Sequence, residues 1–222
     1  MIVAGRHADH AALMNRIYGF QRHFYDASRK YYLLGRDAMI AGLAPQPGDG
    51  ILELGCGTGR NLVLAARLHP EARLYGLDIS AAMLETAATK LGRHGLEARV
   101  QIARGDAVDF SARHLFDRDR FERIFFSYAL SMIPGWTAAL ETALAALAPG
   151  GSLHIVDFGS QQRLPAWCRS GLRIWLGQFH VTPRDTLESE LRQRAGNLGA
   201  ALEISRPYRD YAIHAVLRLP AA

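Results

Sequence analysis

The sequence predicts an α/β chain: a doubly wound, seven-stranded sheet, mostly parallel with a C-terminal antiparallel hairpin, preceded by an N-terminal helical cap. Three observations predict it. Short apolar runs alternate with helical stretches from residue 50 onward. The first of those runs passes straight into three alternating glycines. The last two runs are joined only by a short connection containing Pro207, which suits an antiparallel pair at the sheet edge.

In chain order, residues 1–45 carry a helical pattern dense in aromatic and basic side chains, among them Tyr18, Phe20, His23, Phe24, Tyr25, Tyr31 and Tyr32. Pro45, Pro47 and Gly48 break that pattern, dividing a cap (1–45) from a sheet domain (46–222). Strands are expected at Ile51–Leu54, Arg73–Leu77, Val100–Ala103, Arg123–Ser127 and Ser152–Phe158. Helices are expected near Asn61–Leu68, Ala81–His94, Trp136–Leu147 and Pro165–Gln178. Ser80 suits an N-cap, as does Thr182 for a helix opening at Pro183. Ala201–Ser205 and Tyr211–Leu219 form the terminal hairpin.

Composition narrows the class. Hydrophobic residues make up 49% and charged residues 21% of 222, enough for a real core and too mixed for a disordered chain. No apolar run is long enough to cross a bilayer. The opening MIVAGRHADH lacks the apolar core of an export signal, and two cysteines, Cys56 and Cys168, cannot build a disulfide framework. The expected location is the cytoplasm, with peripheral contact at the inner face of the membrane. Net charge is +5, and of 26 basic Lys and Arg residues only Lys30 and Lys90 are lysines. Two readings stay open: an Arg- and Ala-rich coding bias, or attraction to an anionic surface. The histidines are scattered without the short spacings of zinc ligands, so no metal is expected.

The strongest motif is Ile51-Leu-Glu-Leu-Gly-Cys-Gly-Thr-Gly-Arg60. A buried strand runs into Gly55, Gly57 and Gly59, whose freedom of torsion and lack of side chain let a ligand lie against the main chain. Asp78 ends the second strand, where a carboxylate accepts hydrogen bonds from ribose hydroxyls, with Ile79 beside it. Asp106, followed by Ala107, ends the third strand within reach of an adenine amine. Acids at successive strand ends line the face where open α/β sheets bind ligands. A nicotinamide site needs G-x-G-x-x-G and a pyrophosphate at the helix start. Here the spacing is G-x-G-x-G, and Glu53 precedes the first glycine by two residues. That acid repels a pyrophosphate but suits a ligand bearing an ammonium and a sulfonium. The expected cofactor is therefore S-adenosylmethionine (SAM), on a Rossmann-like sheet, with Glu53 at its amino end directly or through water.

This loop is similar to that of the class I SAM-dependent methyltransferases, a superfamily whose fold leaves the acceptor open. The flanks are more particular. The segment Phe20-Gln-Arg-His-Phe-Tyr-Asp-Ala-Ser-Arg-Lys-Tyr-Tyr-Leu-Leu-Gly-Arg-Asp37 resembles the bacterial diacylglyceryl-homoserine N-methyltransferases of betaine-lipid synthesis. So do Ser127-Tyr-Ala-Leu-Ser-Met-Ile-Pro-Gly-Trp136, Leu153-His-Ile-Val-Asp-Phe-Gly159 and Phe179-His-Val-Thr-Pro-Arg184. The resemblance implies trimethylation of the lipid's amine at the expense of three SAM molecules, and a separate partner enzyme that makes the homoserine lipid. It places Ser127 and Tyr128 between cofactor and acceptor, and has Tyr32 and Arg36 close over SAM, Arg36 pairing with its carboxylate.

The residues themselves fit such an acceptor. A nucleophilic amine must shed a proton, and His23, Tyr25 and His180 are the candidate acceptors for it. Arg29 or Arg184 can meet the homoserine carboxylate, and aromatics such as Tyr18 and Tyr128 can face the methylated cation, at ~0.5–2 kcal/mol each. Between Ser160 and His180 there is no acidic residue, while Arg163, Arg169 and Arg173 accompany Leu164, Trp167, Leu172, Trp175, Leu176 and Phe179. That segment reads either as a basic amphipathic helix at an anionic bilayer or as a helix covering the acceptor pocket. Other acceptors stay open: phosphatidylethanolamine, a quinone or a small metabolite. A SAM-binding nucleic-acid-associated or regulatory protein is the rival from another class; against nucleic acid as a partner, the stretch after the fourth strand reads Ser127-Tyr-Ala-Leu and not Asn-Pro-Pro-Tyr.

Overall fold

A computed structural model describes residues 32–179 and 181–221. Of the expected site residues, Tyr18, His23, Tyr25, Arg29 and His180 lie outside the described residues, as does most of the expected cap.

The described chain runs α1 (Arg36–Ala41), β1 (Gly50–Leu54), α2 (Arg60–Leu68), β2 (Arg73–Asp78), α3 (Ala81–Arg93), β3 (Val100–Arg104), α4 (Ala112–Phe116) and β4 (Phe121–Ser127). A 3₁₀ turn (Leu130–Met132) follows, then α5 (Trp136–Ala145), β5 (Leu147–Phe158), α6 (Ala166–Gly177), α7 (Leu187–Leu198), β6 (Ala201–Ser205) and β7 (Ala212–Arg218). The seven strands form one sheet in the order β3-β2-β1-β4-β5-β7-β6. Neighbours from β3 to β5 pair in parallel, and β7 runs antiparallel to both β5 and β6. This is the expected doubly wound sheet with its hairpin edge.

Burial explains the strand pattern. All five residues of β1 are buried, as a central strand covered on both faces requires. Phe121, Ile124 and Phe126 of β4 belong to one core, with α5 and α7 packed on it. Phe125 belongs to the opposite core, together with Ile51, Leu62, Met39 and Ile40. Each such side chain contributes roughly 1.5–3 kcal/mol on burial. Met39, Ile40 and Leu43 are at most 1% exposed, so the described part of the expected cap shares its core with the sheet.

One expected helix start is wrong. Thr182 does not cap a helix at Pro183; the helix opens at Leu187 behind Thr186. The intervening chain is held by the 3₁₀ turn after β4 instead. Thr182 donates its N–H to the Ser131 carbonyl (2.9 Å), and Arg184 donates to the carbonyls of Leu130 (3.0 Å) and Ile133 (2.8 Å). The short α4, whose cap Ser111 accepts from His114 N–H, is an element the apolar pattern did not reveal.

Candidate active site

Strand order reverses between β1 and β4, and there the chain leaves both carboxyl ends toward one crevice. Its walls bring together eight of the expected residues: Gly55, Gly57, Asp78, Ile79, Asp106, Ala107, Ser127 and Tyr128. Leu77, Met83, Gly105, Ala129, Met132 and Ile133 complete them.

The glycine turn is built for close approach. Gly55 sits at φ +79°, and a Cβ there would come within 2.8 Å of the Ala129 Cβ, so a side chain would drive the turn into the wall opposite. Gly57, at φ +53°, has nothing within 4 Å of where a Cβ would be. The turn is anchored from β2: Gly55 and Cys56 both donate N–H to the Leu77 carbonyl. Gly59 lies behind the crevice, where it starts α2 in the left-handed region, against Ala87 of α3.

Asp78 organises this end of the sheet. Its Oδ2 accepts the Gly57 N–H at 2.8 Å and its Oδ1 the Ser80 N–H at 2.9 Å. Asp78 also lines the crevice wall, where its carboxylate can face a ligand. Ser80 then caps α3 as expected, accepting from Met83 N–H. Asp106 closes its own turn through Oδ1 and the Val108 N–H (3.1 Å), in a crevice wall shared with Ile79 and Ala107.

Glu53 is 1% exposed and lies behind the glycine turn. Burial pushes its carboxyl up to about 8, against the pull of a hydrogen bond from Asn61 (2.7 Å) and the charge of buried Arg36. Its Oε2 has no hydrogen-bond partner among the described residues, and neither has the buried Ser127 Oγ. Two orphaned polar atoms in this region are what a polar ligand at the strand ends would explain.

A second, apolar cleft, with little open space between its side chains, adjoins the first, with Tyr128 and Met132 lining both. Tyr32, Phe158, Trp175 and Phe179 line it too, under helix α6. Its aromatics touch edge to face: Tyr32 on Trp175 at 4.9 Å, Trp175 on Phe179 at 5.1 Å and Tyr128 on Phe158 at 4.7 Å. Tyr128 holds φ +55° and donates its hydroxyl to the Leu34 carbonyl at 2.7 Å; burial pushes its phenol pKa well above the ordinary value. Tyr211 donates likewise to the Tyr32 carbonyl, so two phenols pin the segment before α1 over the sheet. Arg184 spends donors on the carbonyls of Leu130 and Ile133 and lies over the Trp136 ring at 6.0 Å, which makes it a clamp on the crevice wall.

Asp157 was not expected. It is 2% exposed, and accepts N–H from Phe158 (2.7 Å) and from Ser131 (3.0 Å), fastening the turn after β4. Burial raises its carboxyl to about 6. A lone acid inside the apolar run Leu153-His-Ile-Val-Asp157-Phe was the available signal.

Residues 51–151 match the family model described as a methyltransferase domain. The match supports a class I, SAM-dependent methyltransferase domain over this stretch. The demethylmenaquinone methyltransferase of Listeria welshimeri is 27% identical over 141 residues, which is 63% of this chain and 57% of that relative. The matched stretch thus spans little more than half of the curated relative. Among solved structures, the YcgJ protein of Bacillus subtilis aligns with a TM-score of 0.65 at 14% identity, covering 85% of this chain and 99% of that one. A Haemonchus contortus phosphoethanolamine N-methyltransferase 2, solved with S-adenosylmethionine, aligns at 0.67 and 16% identity over 84% of this chain and 52% of its own. Both likenesses show the same sheet architecture. The cofactor of such a domain is S-adenosylmethionine, and this crevice fits it: a turn that excludes side chains, two acids at strand ends, and the unpartnered Ser127 hydroxyl on its wall.

Proposed function

We propose that this protein transfers the methyl group of S-adenosylmethionine to a lipophilic acceptor, seated with its apolar part in the aromatic cavity beside the cofactor crevice. The observation that carries this reading is the shared wall: Tyr128 and Met132 face both spaces, one polar and glycine-lined, the other apolar. SAM supplies an activated methyl group on a sulfonium. The protein's own part is alignment, because a donor already activated needs chiefly a nucleophile held in line with it.

In this reading Asp78 holds the ribose hydroxyls and Asp106 the adenine amine, with Ile79 and Ala107 against the ring. Gly55 and Gly57 let the chain lie along the methionine part, whose ammonium draws on Glu53, while its carboxylate is met by Arg36. Ser127 stands at the boundary with the acceptor. Asp157 and Arg184 keep the turn from Tyr128 to Ile133 in place, so that the gap between the two spaces keeps its width.

Of the acceptors named from the sequence, the curated relatives favour a quinone of the demethylmenaquinone kind, and edge-to-face aromatics suit a flat ring. The amine of diacylglyceryl-homoserine is the second reading. Five aromatic rings around the cavity, those of Tyr32, Tyr128, Phe158, Trp175 and Phe179, favour a cation that cannot be hydrogen-bonded once it is trimethylated. The test offers labelled SAM and the full chain to detergent-dispersed demethylmenaquinol, diacylglyceryl-homoserine and bulk RNA. Label is expected in a lipid fraction, and which lipid takes it decides between the two. Label in RNA, or in none of the three, overturns the proposal.

A further inference from the structure

Helix α6 divides its apolar side chains between two faces. Leu172, Trp175 and Leu176 pack inward against the core that includes Tyr128 and Phe158. Trp167 and Ile174 point the other way, 80% and 69% exposed, the two most exposed large apolar side chains among the described residues. With Gly171 they occupy positions i, i+4 and i+7 and so share one outward face. Exposed Tyr208 and Arg209 sit on the neighbouring turn, which Asp210 ties to the strap leading into α6 by accepting from the Ser160 hydroxyl and the Gln162 N–H.

The segment that carries this face is basic. No acidic residue occurs between Ser160 and His180, where Arg163, Arg169 and Arg173 fall. Arg173 is engaged by Asp185 at 3.0 Å. Arg163 and Arg169 have no acidic partner among the described residues. A second copy of the chain on this face would set arginine against arginine, which argues against self-association. A surface of anionic headgroups over hydrocarbon matches both features at once: the tryptophan and isoleucine enter the headgroup boundary and the arginines meet phosphate.

We infer that α6 docks this protein reversibly onto an anionic membrane surface through Trp167 and Ile174, with Arg163 and Arg169 on the headgroups. The inner face of the same helix lines the aromatic cavity, so docking brings that cavity against the bilayer. The usefulness of this arrangement rests on the proposed lipophilic acceptor; the docking surface itself does not.

The test is co-sedimentation of the full chain with phosphatidylcholine vesicles, with and without phosphatidylglycerol, in the absence of SAM. Binding is expected to require the anionic lipid and to fall with added salt. Each arginine near the surface adds about fivefold, so the double variant Arg163→Gln, Arg169→Gln is expected to bind about 25-fold more weakly. Trp167→Ser with Ile174→Ser should release the protein from vesicles while methylation of detergent-dispersed acceptor persists. Absence of vesicle binding, undiminished binding by either double variant, or a light-scattering dimer that the serine variant dissolves would each overturn the inference. Vesicle binding of the expected pattern in a protein that methylates neither lipid would uphold the docking and refute the acceptor.

Discussion

The two halves of the crevice are built by different means. On the cofactor side each group comes from a short local motif at a strand end: Gly55 and Gly57 after β1, Asp78 after β2, Asp106 after β3. Gly55 and Cys56 donate to the Leu77 carbonyl and Gly57 to the Asp78 carboxylate, locking that side together across two adjacent strands. On the acceptor side, Tyr32, Tyr128, Phe158, Trp175 and Phe179 come from segments far apart in the chain and meet only through packing. On the proposed assignment, local geometry holds the cofactor, whereas tertiary packing shapes the part that would select an acceptor.

That contrast can be broken by experiment. The largest expected effect is at Asp78. Asp78→Ala removes the ribose acceptor and also releases the N–H groups of Gly57 and Ser80. At ~1.5–3 kcal/mol per hydrogen bond to a charged group, SAM affinity should fall at least ~100-fold in calorimetry, with the circular dichroism of the sheet retained. Unchanged affinity would remove the acid from the site. Gly55→Val comes next. A β-branched residue at φ +79°, with its Cβ 2.8 Å from that of Ala129, costs about 1–3 kcal/mol in strain and closes the gap between cofactor and acceptor. A lowered melting temperature with activity lost is the expected pair of readings.

Glu53 sharpens the comparison through pH. Its folded pKa of about 8 lies above the ordinary 4.5, so the folded chain binds the extra proton. The unliganded protein therefore loses stability as pH rises from about 4.5 to 8. A ligand ammonium favours the carboxylate, so SAM affinity should climb with pH below about 8 and level off above it, with a proton released on binding near neutrality. Titrations in buffers of different ionisation enthalpy read that proton directly, and Glu53→Gln should flatten the slope. A slope that survives the substitution belongs to another group.

Asp157 has the same sign over a lower window. Raised from 3.8 to about 6, it subtracts stability as pH rises between those values, and Asp157→Asn should remove that part of the dependence in melting curves. Because only the turn after β4 depends on it, turnover should drop while SAM affinity stays within a fewfold of the parent's. The smallest effect is expected at Trp175→Leu, which trims the aromatic cavity. The acceptor KM should rise roughly tenfold, from the loss of ~1–2 kcal/mol of apolar contact, with SAM binding unmoved. If SAM binding weakens as much as the acceptor's, the two spaces are not separate.

The sequence by itself determined the sheet and the cofactor half of the crevice. Strand-helix alternation, the glycine run and the acids at strand ends are short-range signals, because hydrogen bonding, torsion and burial act within a few residues of where they are written. The hairpin edge was legible for the same reason. The helix expected at Pro183 was not to be had from local rules: Thr182 and Arg184 satisfy backbone groups of the 3₁₀ turn, and those long-range bonds outweigh a good capping pattern. Nor could periodicity tell which residues of α6 face inward, since Trp167 and Trp175 belong to the same stripe of letters but opposite environments. Only the tertiary structure decided that, and with it the position of the aromatic cavity and of Asp157 beneath its wall. The physical reason is that side-chain burial depends on what lies across the fold, and no spacing along the chain records the neighbour.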